Sequence, residues 1–74
     1  MEHEFEQEFH MLGLKVAYYR KLRRLTQEEL ADALGASTSY IGSIESKTYK
    51  PISLKTLFRI AKILETPPHK FLEF

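Results

Sequence analysis

The 74-residue sequence contains no cysteine. Disulfide staples and thiolate metal sites are therefore excluded. No apolar run approaches the length of a membrane span. The N-terminus is acidic, unlike the basic start of a signal peptide, so a soluble cytoplasmic chain with no membrane partner is expected. Internal repeats, low-complexity tracts and glycine-rich phosphate loops are also missing. A chain this short makes one domain and buries only about 60% of its unfolded surface. Its stability must come from helix packing, aided by dimerisation.

The formal net charge is only +1. That figure conceals an asymmetry. Residues 1–10 carry Glu2, Glu4, Glu6 and Glu8 without a Lys or Arg, whereas all eleven basic residues lie in 11–74. A basic body behind an acidic arm suits a polyanionic partner, although the excess alone is too small to prove one.

Residues 26–45 are the most informative stretch. Thr26 is a side-chain acceptor with Glu29 three residues on, which predicts a capping box. Leu30, Ala31 and Leu34 follow at helical spacing. Gly35 comes where a left-handed residue ends a helix, and Ser37 can cap a second helix. Ile41 and Ile44 give that second helix an inward face, and Ala31 is small where the two helices must cross. Two short helices joined by a glycine turn make a helix-turn-helix.

The combined pattern is Leu25-Thr26-Gln27-Glu28-Glu29-Leu30-Ala31, Leu34-Gly35, then Ser37, Tyr40-Ile41 and Ile44-Glu45. It extends to Arg20 before and to Leu57, Ile60, Ala61 and Leu64 after. It resembles the lambda-repressor-like, Cro/C1-type (XRE family) helix-turn-helix transcriptional regulators over roughly residues 12–72. The resemblance implies an all-α, compact five-helix fold, with an acidic arm at 1–10 and the helix-turn-helix domain at 11–74. Lys47 departs from the family, many of whose members carry glycine there.

Around that motif the chain reads as follows. Phe5, Phe9, Leu12, Val16 and Tyr19 are spaced 4-3-4-3, so one helix over about residues 4–24 would align them. The alternative is a core helix over residues 12–24 behind a frayed or partner-bound arm. Gly13 interrupts the stripe, at about 1 kcal/mol relative to alanine. His3 and His10 lack tight ligand spacing, and solvated histidines are the preferred reading over a metal site. Pro51 bars helix continuation after the polar loop at 46–52. Ser53 caps a helix reaching about Leu64, with Leu54, Leu57, Ile60, Ala61 and Leu64 facing inward. Pro67 and Pro68 start a short fifth helix.

Arg20 lies beside the inward stripe, and Glu45 follows two inward isoleucines. A partly buried glutamate needs a cation, and arginine can satisfy it bidentately. The resemblance pairs the same two positions. It also makes the second motif helix the reader of the DNA major groove. Thr38, Ser39 and Ser43 are then base-contacting, and Tyr40 touches either a base methyl or a phosphate. Gln27, Lys47, Thr48, Tyr49 and Lys50 are the phosphate-contacting candidates. Arg23 and Arg24 are equally well read as a solvated charge run. None of the base readers is Arg, Asn or Gln, so direct discrimination is expected to be modest, with more weight on DNA shape.

Phe58, Ile63, Phe71, Leu72 and Phe74 exceed what so small a monomer should bury, which marks a partner surface, and the resemblance implies that it is a homodimer interface. The expected function is a sequence-specific, double-stranded-DNA-binding regulator, a dimeric repressor or controller protein that needs no cofactor and no metal. An antitoxin or adaptor that binds a partner protein is the alternative. Without cysteine, clustered histidine or a phosphate loop, no catalytic residue can be nominated and an enzyme is the weakest reading.

Overall fold

The computed structural model describes residues 4–46 and 50–74. Among them are four α-helices, α1 (Glu6–Leu22), α2 (Gln27–Leu34), α3 (Thr38–Glu45) and α4 (Leu54–Ile63), followed by a 3-10 helix at Pro68–Leu72. The expected fifth α-helix is thus only a 3-10 segment. Proline at its start supplies no N–H, and the Lys70 amide closes an i→i+3 bond of 3.0 Å onto the Pro67 carbonyl.

Local chemistry sets the helix starts. Thr26 accepts from the Glu29 amide at 3.0 Å while the Glu29 carboxylate accepts from the Thr26 amide at 2.8 Å, a reciprocal capping box. Ser37 and Ser53 cap α3 and α4 by accepting from the Tyr40 and Thr56 amides. By contrast α1 has no side-chain cap, and Phe5 precedes it at φ 66°.

Three helix ends share one geometry. Arg24, Gly35 and Glu65 each adopt positive φ. In each case the amide of that residue and the next one bond back to carbonyls of the last turn: Arg24 to Lys21 and Leu25 to Arg20, Gly35 to Asp32 and Ala36 to Ala31, Glu65 to Lys62 and Thr66 to Ala61. This is the Schellman ending. Only Gly35 occupies it without the cost of a side chain in left-handed backbone.

The core gathers Leu12, Val16, Leu30, Ala31, Leu34, Ile41, Ile44, Leu57, Ile60, Ala61, Leu64 and Phe71, with α1 packing on α3 and on the 3-10 helix, and α4 on α2. Two expectations are corrected here. Phe71, assigned to a dimer interface, is fully buried in this core against Tyr19, their ring centroids 5.2 Å apart. The 3-10 segment turns its ring back into the space between α1 and α4. Leu54, assigned to the core, is 60% exposed, because it opens α4 one turn before the first buried residue of that helix.

Gly13 is not an interruption. It is buried where α1 crosses α3, and a β-carbon there would collide with the Ile44 carbonyl oxygen. That neighbour is backbone, which cannot swing aside as a side chain would. Gly13→Ala should therefore destabilise the protein by roughly 1–3 kcal/mol, the range of overpacked cores, as read from the urea-denaturation midpoint.

Candidate nucleic-acid interface

The recognition-helix candidate α3 is eight residues long. Ile41 and Ile44 fix one of its faces in the core. With 3.6 residues per turn, Thr38, Ser39 and Gly42 point to the opposite side and Ser43 flanks them. Thr38 and Ser39 are exposed, and Gly42 and Ser43 half-exposed. Neither Thr38 nor Ser39 uses its hydroxyl within the described residues. Ser43 donates its hydroxyl to the Ser39 carbonyl at 2.7 Å. That leaves Ser43 its oxygen lone pairs, so toward a base edge it is an acceptor.

The far end of α3 is anchored. Arg20 Nε donates to Glu45 Oε2 at 2.7 Å and Nη2 to Oε1 at 2.9 Å, a bidentate pair. The third guanidinium nitrogen, Nη1, donates to the Leu25 carbonyl at 2.7 Å. The two side chains are only 9% and 6% exposed. Gln27 completes the cluster, its Nε2 donating to Glu45 Oε1 at 2.9 Å. One carboxylate therefore joins α1, the start of α2 and the end of α3.

That contact changes the reading of Gln27. The sequence nominated it as a phosphate donor, yet one amide hydrogen is already committed to Glu45. The amide stands half-exposed beside α3, its Oε1 3.7 Å from where a β-carbon on Gly42 would lie. It keeps a second N–H for an outside acceptor.

Tyr40 is half-buried and packs on the core. Lys50 brings its Nζ to 5.4 Å from the Tyr40 ring centroid, a cation–π contact at the end of the post-recognition loop. Lys47, Thr48 and Tyr49 lie outside the described residues. So does His3. His10 is half-buried, and its Nδ1 has no hydrogen-bond partner among the described residues. Phe58, Leu72 and Phe74 are 50–55% exposed, and Ile63 is half-buried against the core. Leu72 and Phe74 border an apolar groove completed by Glu8, Phe9 and Leu12 of α1.

Sequence reasoning missed what the remaining arginines do. Arg23 donates from Nε to the Leu64 carbonyl at 2.6 Å and from Nη2 to the Glu65 carbonyl at 2.7 Å, closing the end of α4. Arg59 donates to the Leu34 carbonyl at 2.8 Å, closing the end of α2. Helix C-termini carry unsatisfied carbonyls and partial negative charge, which explains the attraction. No local signal marks these bonds, because each joins residues at least 25 positions apart.

Removing one partner of the Arg20–Glu45 pair leaves a buried charge uncompensated. Glu45→Ala should cost roughly 3 kcal/mol of stability, read from chemical denaturation. An unchanged midpoint would show that the pair contributes nothing.

Comparison with known proteins agrees with this geometry. A helix-turn-helix family model, HTH_3, matches residues 16–71. Control protein C.SmaI of Serratia marcescens is 40% identical over 62 residues, spanning 84% of this chain and 73% of that protein. Among solved structures, the restriction-modification controller protein C.AhdI from Aeromonas hydrophila superposes with a TM-score of 0.83 at 26% identity, covering 93% of this chain and 99% of the other. SinR, the master regulator for biofilm formation, solved in complex with DNA, superposes with a TM-score of 0.73 at 30% identity, covering 84% and 98%. The chain belongs to the helix-turn-helix family of Cro/C1-type transcriptional regulators.

Proposed function

We propose that this regulator binds a specific site on double-stranded DNA as a homodimer, acting as a repressor or controller protein. The observation that carries the reading is the state of α3. Its leading hydroxyls, Thr38 and Ser39, are exposed and unengaged among the described residues, while Glu45 fastens the other end of the helix to the scaffold. A helix held this way can enter the major groove without reordering. The likeness to SinR, solved with DNA, and to two control proteins supports the same reading.

Thr38, Ser39 and Ser43 then meet base edges, with Tyr40 beside them. Gln27 offers its free amide hydrogen to a phosphate, Lys50 and Lys47 supply charge at the other edge, and Thr48 and Tyr49 offer hydroxyls there. Short hydroxyls bond to several bases, so sequence preference draws strongly on DNA shape and on the spacing of two half-sites. Exposed Leu72 and Phe74, with Phe58, supply the apolar surface for the two-fold partner, and half-buried Ile63 borders it. The groove between α1 and the C-terminus also favours a second reading, an adaptor or antitoxin in which a different protein fills that space. Co-purification of a tight hetero-partner would select it.

Selection of bound oligonucleotides from a random pool should return a palindrome, as a two-fold dimer requires. On that site, Thr38→Ala with Ser39→Ala should weaken binding about tenfold, about 1.4 kcal/mol, measured by fluorescence anisotropy. The logarithm of affinity should fall linearly with the logarithm of salt, because phosphate contacts release counterions. A salt-independent affinity would contradict groove binding. Phe74→Asp should lower the mass seen in light scattering to that of one chain, and a mass equal to wild type would remove the C-terminal face from the dimer.

A further inference from the structure

The bond between Gln27 and Glu45 closes the open end of the helix-turn-helix. One end of the motif is the turn around Gly35, which joins α2 to α3. Gln27 is the first residue of α2 and Glu45 the last of α3, so they stand at the two ends farthest from that turn. Each helix has eight residues, about 12 Å at 1.5 Å per residue. A contact there acts on the angle between the helices with the longest lever. Among the described residues, the 2.9 Å bond from Gln27 Nε2 to Glu45 Oε1 is the only side-chain hydrogen bond between α2 and α3. Apolar packing joins their inner faces, but that attraction is non-directional. The hydrogen bond is directional and can fix the angle.

The amide cannot be turned round. A carboxylate only accepts, so the nitrogen must face Glu45. The oxygen then lies against α3, 3.7 Å from where a β-carbon on Gly42 would stand. Arg20 already meets the charge of Glu45 with two bonds. Gln27 is therefore not needed to neutralise the carboxylate, and what it adds is geometry. Its second amide hydrogen is unused among the described residues. One neutral side chain with two N–H hydrogens can bridge two anions, a carboxylate on one side and a phosphate on the other.

We infer that Gln27 is a positioning residue for sequence discrimination: the amide that grips the phosphate also sets the angle of α3 through Glu45, so backbone contact and base reading are coupled. This rests on the DNA-binding reading proposed above. A side chain that only contacts a phosphate carries no sequence information and supports all duplexes alike. A side chain that orients the reading helix matters most on the preferred site. Only there do Thr38, Ser39 and Ser43 have matched contacts to lose.

Fluorescence anisotropy of the full chain on two duplexes of equal length tests this, one carrying the site selected from the random pool and the other a scrambled version of it. Gln27→Met keeps the side-chain length and removes both donors. It should lower affinity for the selected site about tenfold more than affinity for the scrambled duplex, the scale of one hydrogen bond to a charged group. Partial unfolding of the variant would lower both affinities by one factor, so the ratio is free of any effect on stability. Gln27→Lys retains donors for both anions. It should raise affinity for both duplexes and keep a ratio closer to wild type than Gln27→Met does. The inference fails if Gln27→Met lowers both affinities equally or changes neither, or if Gln27→Lys loses as much discrimination as Gln27→Met. A wild-type chain from which no preferred duplex can be selected would instead overturn the DNA-binding reading, and this inference with it.

Discussion

The molecule turns on one carboxylate. Glu45 is nearly enclosed, and burying its charge would be prohibitive without Arg20. The arginine answers with two parallel bonds to Glu45 and spends its remaining nitrogen on the Leu25 carbonyl. Gln27 adds a fourth bond to the cluster. The end of α3 is thereby tied to the two elements it must not drift from. Gly13 sets how near α1 comes, because only the absence of a side chain lets its backbone reach the Ile44 carbonyl. Distance and orientation are fixed by different groups, and the outward hydroxyls of α3 follow from both.

Much of this was legible before any coordinates. The capping box of Thr26 and Glu29, the serine caps at 37 and 53, the glycine ending of α2 and the inward isoleucines of α3 are local signals, and local chemistry determines them. The Arg20–Glu45 contact could be anticipated because a glutamate beside two buried isoleucines needs a cation. What could not be read was decided at long range. Gly13 looked like a defect in a stripe until its neighbour on α3 was known. Phe71 and Leu54 are both large and apolar, and only the path of the chain decides that the first is enclosed and the second is not. The ends of α1 and α4 gave no glycine signal, since Arg24 and Glu65 occupy left-handed backbone that their sequence neighbours do not demand. The DNA-contacting roles rest on resemblance and on exposure together, because short hydroxyls carry little chemical signature of their own.

The arginines alter the meaning of the charge count. A surplus of basic residues beyond position 10 suggested a surface for a polyanion. Yet Arg20, Arg23 and Arg59 all donate to main-chain carbonyls inside the fold. The cations left free to meet phosphate are mainly lysines. A lysine is a mobile point charge without arginine's planar fork, so it favours attraction over register. In the proposed complex, register is left to α3 and to neutral groups such as the Gln27 amide.

The same three guanidiniums have a consequence for how the domain comes apart. Arg59 of α4 holds the end of α2, Arg23, the residue that caps α1, holds the end of α4, and Arg20 of α1 holds both the link to α2 and the end of α3. Ordinarily the last turn of a helix frays on its own and exchanges its amide hydrogens first. Here each loosened turn would strip the partner from a cation rooted in a different helix. Opening is thus shared among the helices, and so small a bundle gains an all-or-none character that its limited core alone would not enforce.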